Sequence, residues 1–265
     1  MLSPLTEFAL LARMPDEALD LEALTASVAR MGDPGVSAVQ LGIQLDQLAH
    51  DVVDQVDPGA PPDRLARQLR AALVGRLGFT GDLARFDEVR GSYLDAVLTL
   101  RRGLPILLSI VWMCVGRRLG VEVGGVSFPG RFLVCVGDRS ARIYLDPFDG
   151  GAVVGVGELL GSLGPDRRER VLLEPVGPRP IITRVLVNLK MRFMDARDAA
   201  ALVEVSNRLL LIAGERAEEL RDRGMALLQL GKNVEGAADL QRYLKLRPDA
   251  LDRAAVEALL VRHRS

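Results

Sequence analysis

The sequence contains few of the residues that bind metals, form disulfides or act as catalytic bases. Its 265 residues include two cysteines, Cys114 and Cys135, and two histidines, His50 and His263. Such a sparse set provides no Cys/His cluster for zinc, and the glycine-rich phosphate-binding motifs of nucleotide enzymes are also missing. We therefore predict that the protein uses no metal and no cofactor.

The sequence pattern predicts neither a disulfide framework nor an export signal. Small secreted scaffolds carry many more cysteines than two, and both cysteines here lie in apolar stretches. The N-terminus has neither the basic head nor the small-residue cleavage site of a signal peptide. We expect a cytoplasmic protein whose two thiols stay free.

Neither sign of charge is in excess, and no hydrophobic run is long. The 34 basic residues balance 35 acidic ones, for a net charge of -1. Such a chain has no general attraction to nucleic acid or to acidic membranes. The longest apolar run, residues 104–115, is too short to span a bilayer and is typical of a buried helix. We expect a soluble protein with no nucleic-acid partner and no membrane partner.

The N-terminal third of the chain has helical periodicity. Apolar residues recur every three or four positions, which predicts three amphipathic helices. The first is predicted to begin at Pro15 and to end before residues 32–35, GDPG. The third follows Pro61, and the second carries on its apolar stripe Val39, Ile43, Leu45, Leu48, Val52 and Val56.

The middle of the chain changes from helical to strand periodicity. A helix that is apolar on nearly every side is predicted over residues 105–119. Alternating patterns then predict short strands over 121–128, 131–137 and 141–145, with a further strand over 171–176. This order predicts an α+β fold, mainly helical, with a small antiparallel sheet.

A proline-rich segment, residues 174–180, marks a boundary between residues 1–176 and a helical domain over 181–265. A period near 34 residues in the second domain is that of a tetratricopeptide repeat. The matching positions are Leu220, Gly224, Leu227, Gly236, Leu240 and Pro248. A generic pair of helical hairpins is the alternative. Two repeats bury too little surface to be stable alone, so we expect them to dock on the first domain.

A buried helix followed by antiparallel strands is the frame of papain-like and transglutaminase-like enzymes. In that frame a cysteine at the helix N-terminus is the nucleophile, a histidine on one strand is the base, and an acid on the next strand orients it. Three segments of this chain, residues 101–109, 125–132 and 145–151, resemble the core of the SirB-type transglutaminase-like family in the same order. Residues 221–224 and 239–244 resemble its tetratricopeptide part. The resemblance implies a transglutaminase-like (papain-like) domain and a regulatory role in bacteria, without specifying a reaction.

The chain departs from this family at the positions that carry the chemistry. Arg131 stands where the family commonly has histidine, and a guanidinium stays protonated and cannot act as a base. The first turn of the predicted helix begins at Pro105 and contains no cysteine. Only the acid position is kept, as Asp146. We expect Arg131 to form an ion pair with Asp146 across adjacent strands.

These departures predict a non-catalytic protein that acts as a regulatory or protein-binding module. The alternative is a cysteine or serine hydrolase or acyltransferase that uses Ser109 or Cys114. Ser109 would need an adjacent base, and burial would keep the Cys114 thiol inert. A plain scaffold that uses only the repeat surface is a third reading. A protein partner is expected in each non-enzymatic case, whereas its identity and the oligomeric state stay open.

Overall fold

The computed structural model of the protein describes residues 3–82, 89–163 and 171–263. Their helices are α1 (Pro4–Ala12), α2 (Leu21–Ala29), α3 (Ala38–Val52), α4 (Pro62–Arg70), α5 (Leu94–Leu100), α6 (Pro105–Arg118), α7 (Val156–Gly161), α8 (Pro178–Asp195), α9 (Ala199–Ala213), α10 (Ala217–Gln229), α11 (Asn233–Leu246) and α12 (Arg253–Arg262). The strands are β1 (Val123–Val126), β2 (Leu133–Val136), β3 (Ile143–Asp146) and β4 (Ala152–Val154). The predicted fold class, α+β and mainly helical, is confirmed. None of the described helices combines the length and the hydropathy that a membrane crossing requires.

The chain divides into two compact units. One is Asp20–Ile181, and the other joins Met1–Leu19 to Ile182–Ser265. The division predicted from the sequence, 1–176 and 181–265, placed the first 19 residues with the sheet. In the structure α1 packs on α9 and buries Phe8 completely, so these residues group with the C-terminal helices.

The N-terminal helices begin where side chains cap them. Ser3 accepts a hydrogen bond from the backbone N–H of Thr6 and starts α1, which the sequence pattern did not predict. The first predicted helix begins at Leu21 and not at Pro15, because the carboxylate of Asp20 caps the N–H groups of α2.

The antiparallel sheet has four strands in the order β1-β2-β3-β4. The three predicted strands are confirmed, with pairs such as Gly124↔Cys135 and Val136↔Ile143. The edge strand β4 was not predicted. The strand expected over 171–176 is wrong, because within that segment only Val176 pairs, through its N–H to the carbonyl of Gly125 at 2.8 Å.

Helix α6 is the core of the sheet-containing unit. It packs on α3 and α5 on one side and on β1 and β2 on the other, and Trp112 at its centre is fully buried. The stripe predicted for α3 is partly wrong, because Val39 and Ile43 are 72% and 60% exposed. Leu45, Leu48 and Val52 of the predicted stripe are buried as expected, and Leu41 and Ala49 complete that face.

The second unit contains the helical hairpins of the repeat region. Helices α10 and α11 approach closely at two glycines, as the repeat pattern predicts. A Cβ on Gly224 would lie 3.0 Å from the carbonyl oxygen of Gly236, and a Cβ on Gly236 would lie 2.9 Å from that of Gly224. A buried ion cluster joins α8 to α10, where Lys190 Nζ lies 2.8 Å from Glu219 and 2.7 Å from Asp222.

The glycine contact generates a stability prediction. Alanine is favoured over glycine by about 1 kcal/mol in an open helix, but overpacking costs about 1–3 kcal/mol. Gly224→Ala should therefore lower the melting temperature of the full-length chain. Gly42→Ala is the matched control, because a Cβ at this position in α3 meets nothing within 4 Å, and it should leave the melting temperature unchanged or raise it. Equal effects of the two substitutions in circular dichroism melts would refute the close contact.

Candidate functional site

Two of the three site positions predicted from the sequence, Arg131 and Asp146, line one groove together with Pro105, whereas the third, Ser109, is fully buried and is not among the lining residues. Pro105 begins α6, Arg131 lies in the turn between β1 and β2, and Asp146 ends β3. Together with β4, α7 and residues 80–82 they surround an open cavity of about 800 Å³. The structure thus places the start of α6, Arg131 and Asp146 around the same groove.

Arg131 does not form the predicted ion pair with Asp146. Its Nη1 lies 3.1 Å from Oε1 of Glu158 in α7, and both side chains are about half exposed. The prediction failed because Arg131 precedes β2 and lies beyond the last β2–β3 pair, Val134↔Leu145. The guanidinium influences Asp146 only through its longer-range charge.

Asp146 is tied to the loop that follows it. Its Oδ1 accepts hydrogen bonds from the backbone N–H groups of Phe148 at 3.0 Å and Asp149 at 3.3 Å. Burial raises the pKa of Asp146, and these bonds partly offset that effect. The retained acid therefore shapes the loop of residues 146–151 and orients no imidazole among the described residues.

Ser109 is unsuited to nucleophilic attack. It is fully buried one turn into α6, and its Oγ donates to the carbonyl of Pro105 at 2.9 Å and approaches that of Phe132 at 3.4 Å. Carbonyl oxygens accept hydrogen bonds but cannot remove the hydroxyl proton. Nucleophilic catalysis by serine needs an adjacent base, and none of its recorded partners is one.

The two cysteines are free, as predicted, and both are buried. Burial and then the charge of Glu22 raise the pKa of Cys114 far above its ordinary value. Burial raises the pKa of Cys135 to about 11. Both thiols are therefore protonated at neutral pH, whereas nucleophilic attack requires the thiolate.

The histidines lie away from the groove lining. His50 is exposed in the last turn of α3, and His263 lies in the other unit, with Nδ1 3.2 Å from Oδ1 of Asn233. Among the described residues no three His, Cys, Asp or Glu side chains are placed to hold a metal ion.

Two features of the groove escaped the sequence reasoning. Glu158 comes from α7, and no local pattern connects it with Arg131. Gly81 joins two walls by donating its N–H to the carbonyl of Phe148 at 3.0 Å, and a Cβ there would overlap the Phe148 ring. The glycines of the segment Gly78–Gly81 were the available signal for this close approach.

This frame, a buried helix whose N-terminus meets an antiparallel sheet beside a groove, with helical repeats elsewhere in the chain, defines a transglutaminase-like protein. Residues 40–187 match the transglutaminase-like superfamily, and residues 189–261 match the tetratricopeptide repeat. The chain belongs to the transglutaminase-like superfamily, and the resemblance to SirB-type proteins is confirmed.

Several curated proteins are similar to the chain. A UPF0162 protein of Xylella fastidiosa is 32% identical over 90% of this chain and 88% of its own length. Protein SirB1 of Salmonella typhimurium is 23% identical over 78% of each. F-box only protein 21 of Mus musculus is 31% identical over 44% of this chain and 20% of its own length. No solved structure matched.

The exposed setting of Arg131 changes what its removal should do. Removing one partner of a buried ion pair lowers the free energy of unfolding by about 3–5 kcal/mol. An exposed ion pair contributes only about 1 kcal/mol or less. Arg131→Ala should therefore shift the melting temperature only slightly. Lys190→Met is the contrasting control and should lower it strongly, because it removes the ion-pair partner of the buried Glu219 and leaves the buried Asp222 with Arg221 alone. A large loss in Arg131→Ala would show that the arginine has a buried partner.

Proposed function

We propose that this chain is a non-catalytic protein-interaction module whose transglutaminase-like groove binds a partner without reacting with it. The observation that carries the proposal is an open groove in which unreactive residues stand at the places of the nucleophile and the base. Pro105 occupies the start of the helix, where the family frame places a thiol, and Arg131 occupies the place of the base. The side chains of the described residues leave a cavity of about 800 Å³ open beside these positions, which supports binding of a partner there.

The repeat region supports a protein as the partner. Stacked helical repeats present extended surfaces that commonly bind other proteins, and the match to the tetratricopeptide repeat covers residues 189–261. Exposed apolar side chains such as Val234, which is 82% exposed, lie in this unit. Two buried free thiols fit a reducing compartment, and the proposal includes a cytoplasmic location.

The competing proposal, a hydrolase or acyltransferase that uses Ser109 or Cys114, has less support. The hydroxyl of Ser109 is bonded to backbone carbonyls, and the Cys114 thiol is buried with a raised pKa. Either residue would need to leave its site and acquire a base before it could attack a substrate.

Photo-crosslinking in cells tests the proposed function. Benzoylphenylalanine would replace Val153 on the groove wall, Val234 in the repeat unit or Val39 on the outer face of α3, which are 61%, 82% and 72% exposed. In bacteria that produce the full-length chain, irradiation should give discrete protein adducts at Val153 or Val234 and none at the control position Val39. Indistinguishable adduct patterns at all three positions, or no adduct at any of them, would contradict the proposal.

A further inference from the structure

We propose that α12 is a displaceable cover, and that the surface it occupies on α10 and α11 binds a helix of a partner protein in its place. This inference concerns the repeat region alone, so it goes beyond the proposed binding at the groove and does not depend on it. Its basis is the way α12 is held, because two buried apolar side chains and one anchoring carboxylate fix a largely exposed helix.

The apolar contact of α12 is small. Val256 and Leu260 are its buried residues, and they pack on a cluster of buried side chains from α10 and α11. That cluster consists of Leu220, Leu228, Leu240, Tyr243 and Leu244. The opposite side of α12 faces away from it, with Val261 65% exposed. A segment with so few buried apolar contacts belongs to the part of a fold that opens most readily.

The polar anchor of α12 binds the neighbouring helices and not α12 itself. Oδ1 of Asp252 accepts a hydrogen bond from the hydroxyl of Tyr243 at 2.6 Å, and Oδ2 lies 3.4 Å from Nη1 of Arg221. The hydrogen bond from Tyr243 lowers the pKa of Asp252, so the anchor is charged at neutral pH. This carboxylate does not cap the N–H groups at the start of α12. The anchor therefore sets where α12 lies without stabilising its helical conformation.

The length of α12 determines what happens when it leaves. A helix of ten residues is marginal in water without tertiary contacts, so α12 should unfold on release. The apolar cluster on α10 and α11 would then be exposed to water, which favours its coverage by another apolar helix.

The surface under α12 is held together by contacts of its own. Arg221 Nη2 lies 2.9 Å from Asp222, and Asp222 lies 2.7 Å from Nζ of the buried Lys190 in α8. These ion pairs keep the guanidinium in place when Asp252 leaves. The close contact of Gly224 with Gly236 joins α10 to α11, and its nearest neighbours come from these two helices. A preformed surface of this kind binds a helix without the cost of ordering itself.

The seated helix shows which partner the surface accepts. Asp252, Val256 and Leu260 are spaced by four residues, so they lie along one side of a helix. The carboxylate meets Arg221 and Tyr243, and the two apolar side chains enter the cluster. The surface therefore fits an amphipathic helix with an acidic residue followed by apolar residues four and eight positions later. Docking of such a helix on an apolar surface is a common mode of peptide recognition.

Displacement of α12 by its own sequence tests the inference. The probe is an unlabelled peptide of residues 249–263, acetylated and amidated, which is titrated into the ¹⁵N-labelled full-length protein. As the peptide binds, the amide signals of residues 253–262 of the protein should move to the positions of an unfolded chain, whereas those of Leu240 and Leu244 should keep folded shifts. Fraying of α12 alone would not make its signals depend on the peptide.

A matched pair of substitutions in the full-length chain makes the test specific. Val256→Ala removes a buried contact and loosens α12, so the peptide should bind this chain about fivefold or more tightly than the unchanged one. Val261→Ala makes the same chemical change on the exposed side and should leave the affinity of the peptide unaltered. A peptide carrying Leu260→Ala should lose binding to the Val256→Ala chain, and one carrying Val261→Ala should keep it.

Three results would overturn the inference. The first is that the peptide at millimolar concentration leaves the α12 signals of the Val256→Ala chain in place. The second is that Val256→Ala and Val261→Ala change the affinity equally, and the third is that the two peptide variants bind alike. Crosslinks at Val153 report on the groove and are independent of α12, so failure of this inference and failure of the proposed function are distinguishable.

Discussion

The burial of α6 on nearly every side between Ile106 and Gly116 is the constraint on which the sheet-containing unit depends. Its apolar residues face helices on one side and strands on the other, so its polar groups depend on local partners, and Trp112 Nε1 has none among the described residues. Ser109 bonds to a carbonyl of its own helix, and Arg118 near the other end binds Glu22 of α2 and Asp46 of α3. The same packing fixes where the N-terminus of α6 emerges, and that point is the end of the groove.

Backbone and loop contacts among the described residues form the walls of the groove. The carboxylate of Asp146 holds the loop after β3 through two N–H groups, and Gly81 bonds to the carbonyl of Phe148. These contacts are independent of a thiol or an imidazole. We propose that Asp146, which stands at the acid position of the family frame, is kept for its role in the loop.

Local periodicity was enough to predict the elements that organise the site. The all-round apolar pattern of α6, the alternation in the first three strands and the small residues at Gly224 and Gly236 each reflect a packing requirement that acts on neighbouring residues. The predictions that were wrong concern contacts between residues that are distant in the sequence. The partner of Arg131 comes from α7, 27 residues later, and α1 is held by a helix near the other end of the chain. Val39 and Ile43 have helical spacing but lie outside the arc that α3 presents to α6, which periodicity alone could not reveal.

The central claim is that no activated nucleophile stands at this site. The most direct measurement is mass spectrometry of the native full-length protein after treatment with a fluorophosphonate and with iodoacetamide at pH 8. Because Ser109 is buried and hydrogen-bonded and the Cys114 thiol is protonated, neither residue should be labelled until the protein is denatured, when Cys114 should react. Stoichiometric labelling of Ser109 or Cys114 in the native protein would contradict the account.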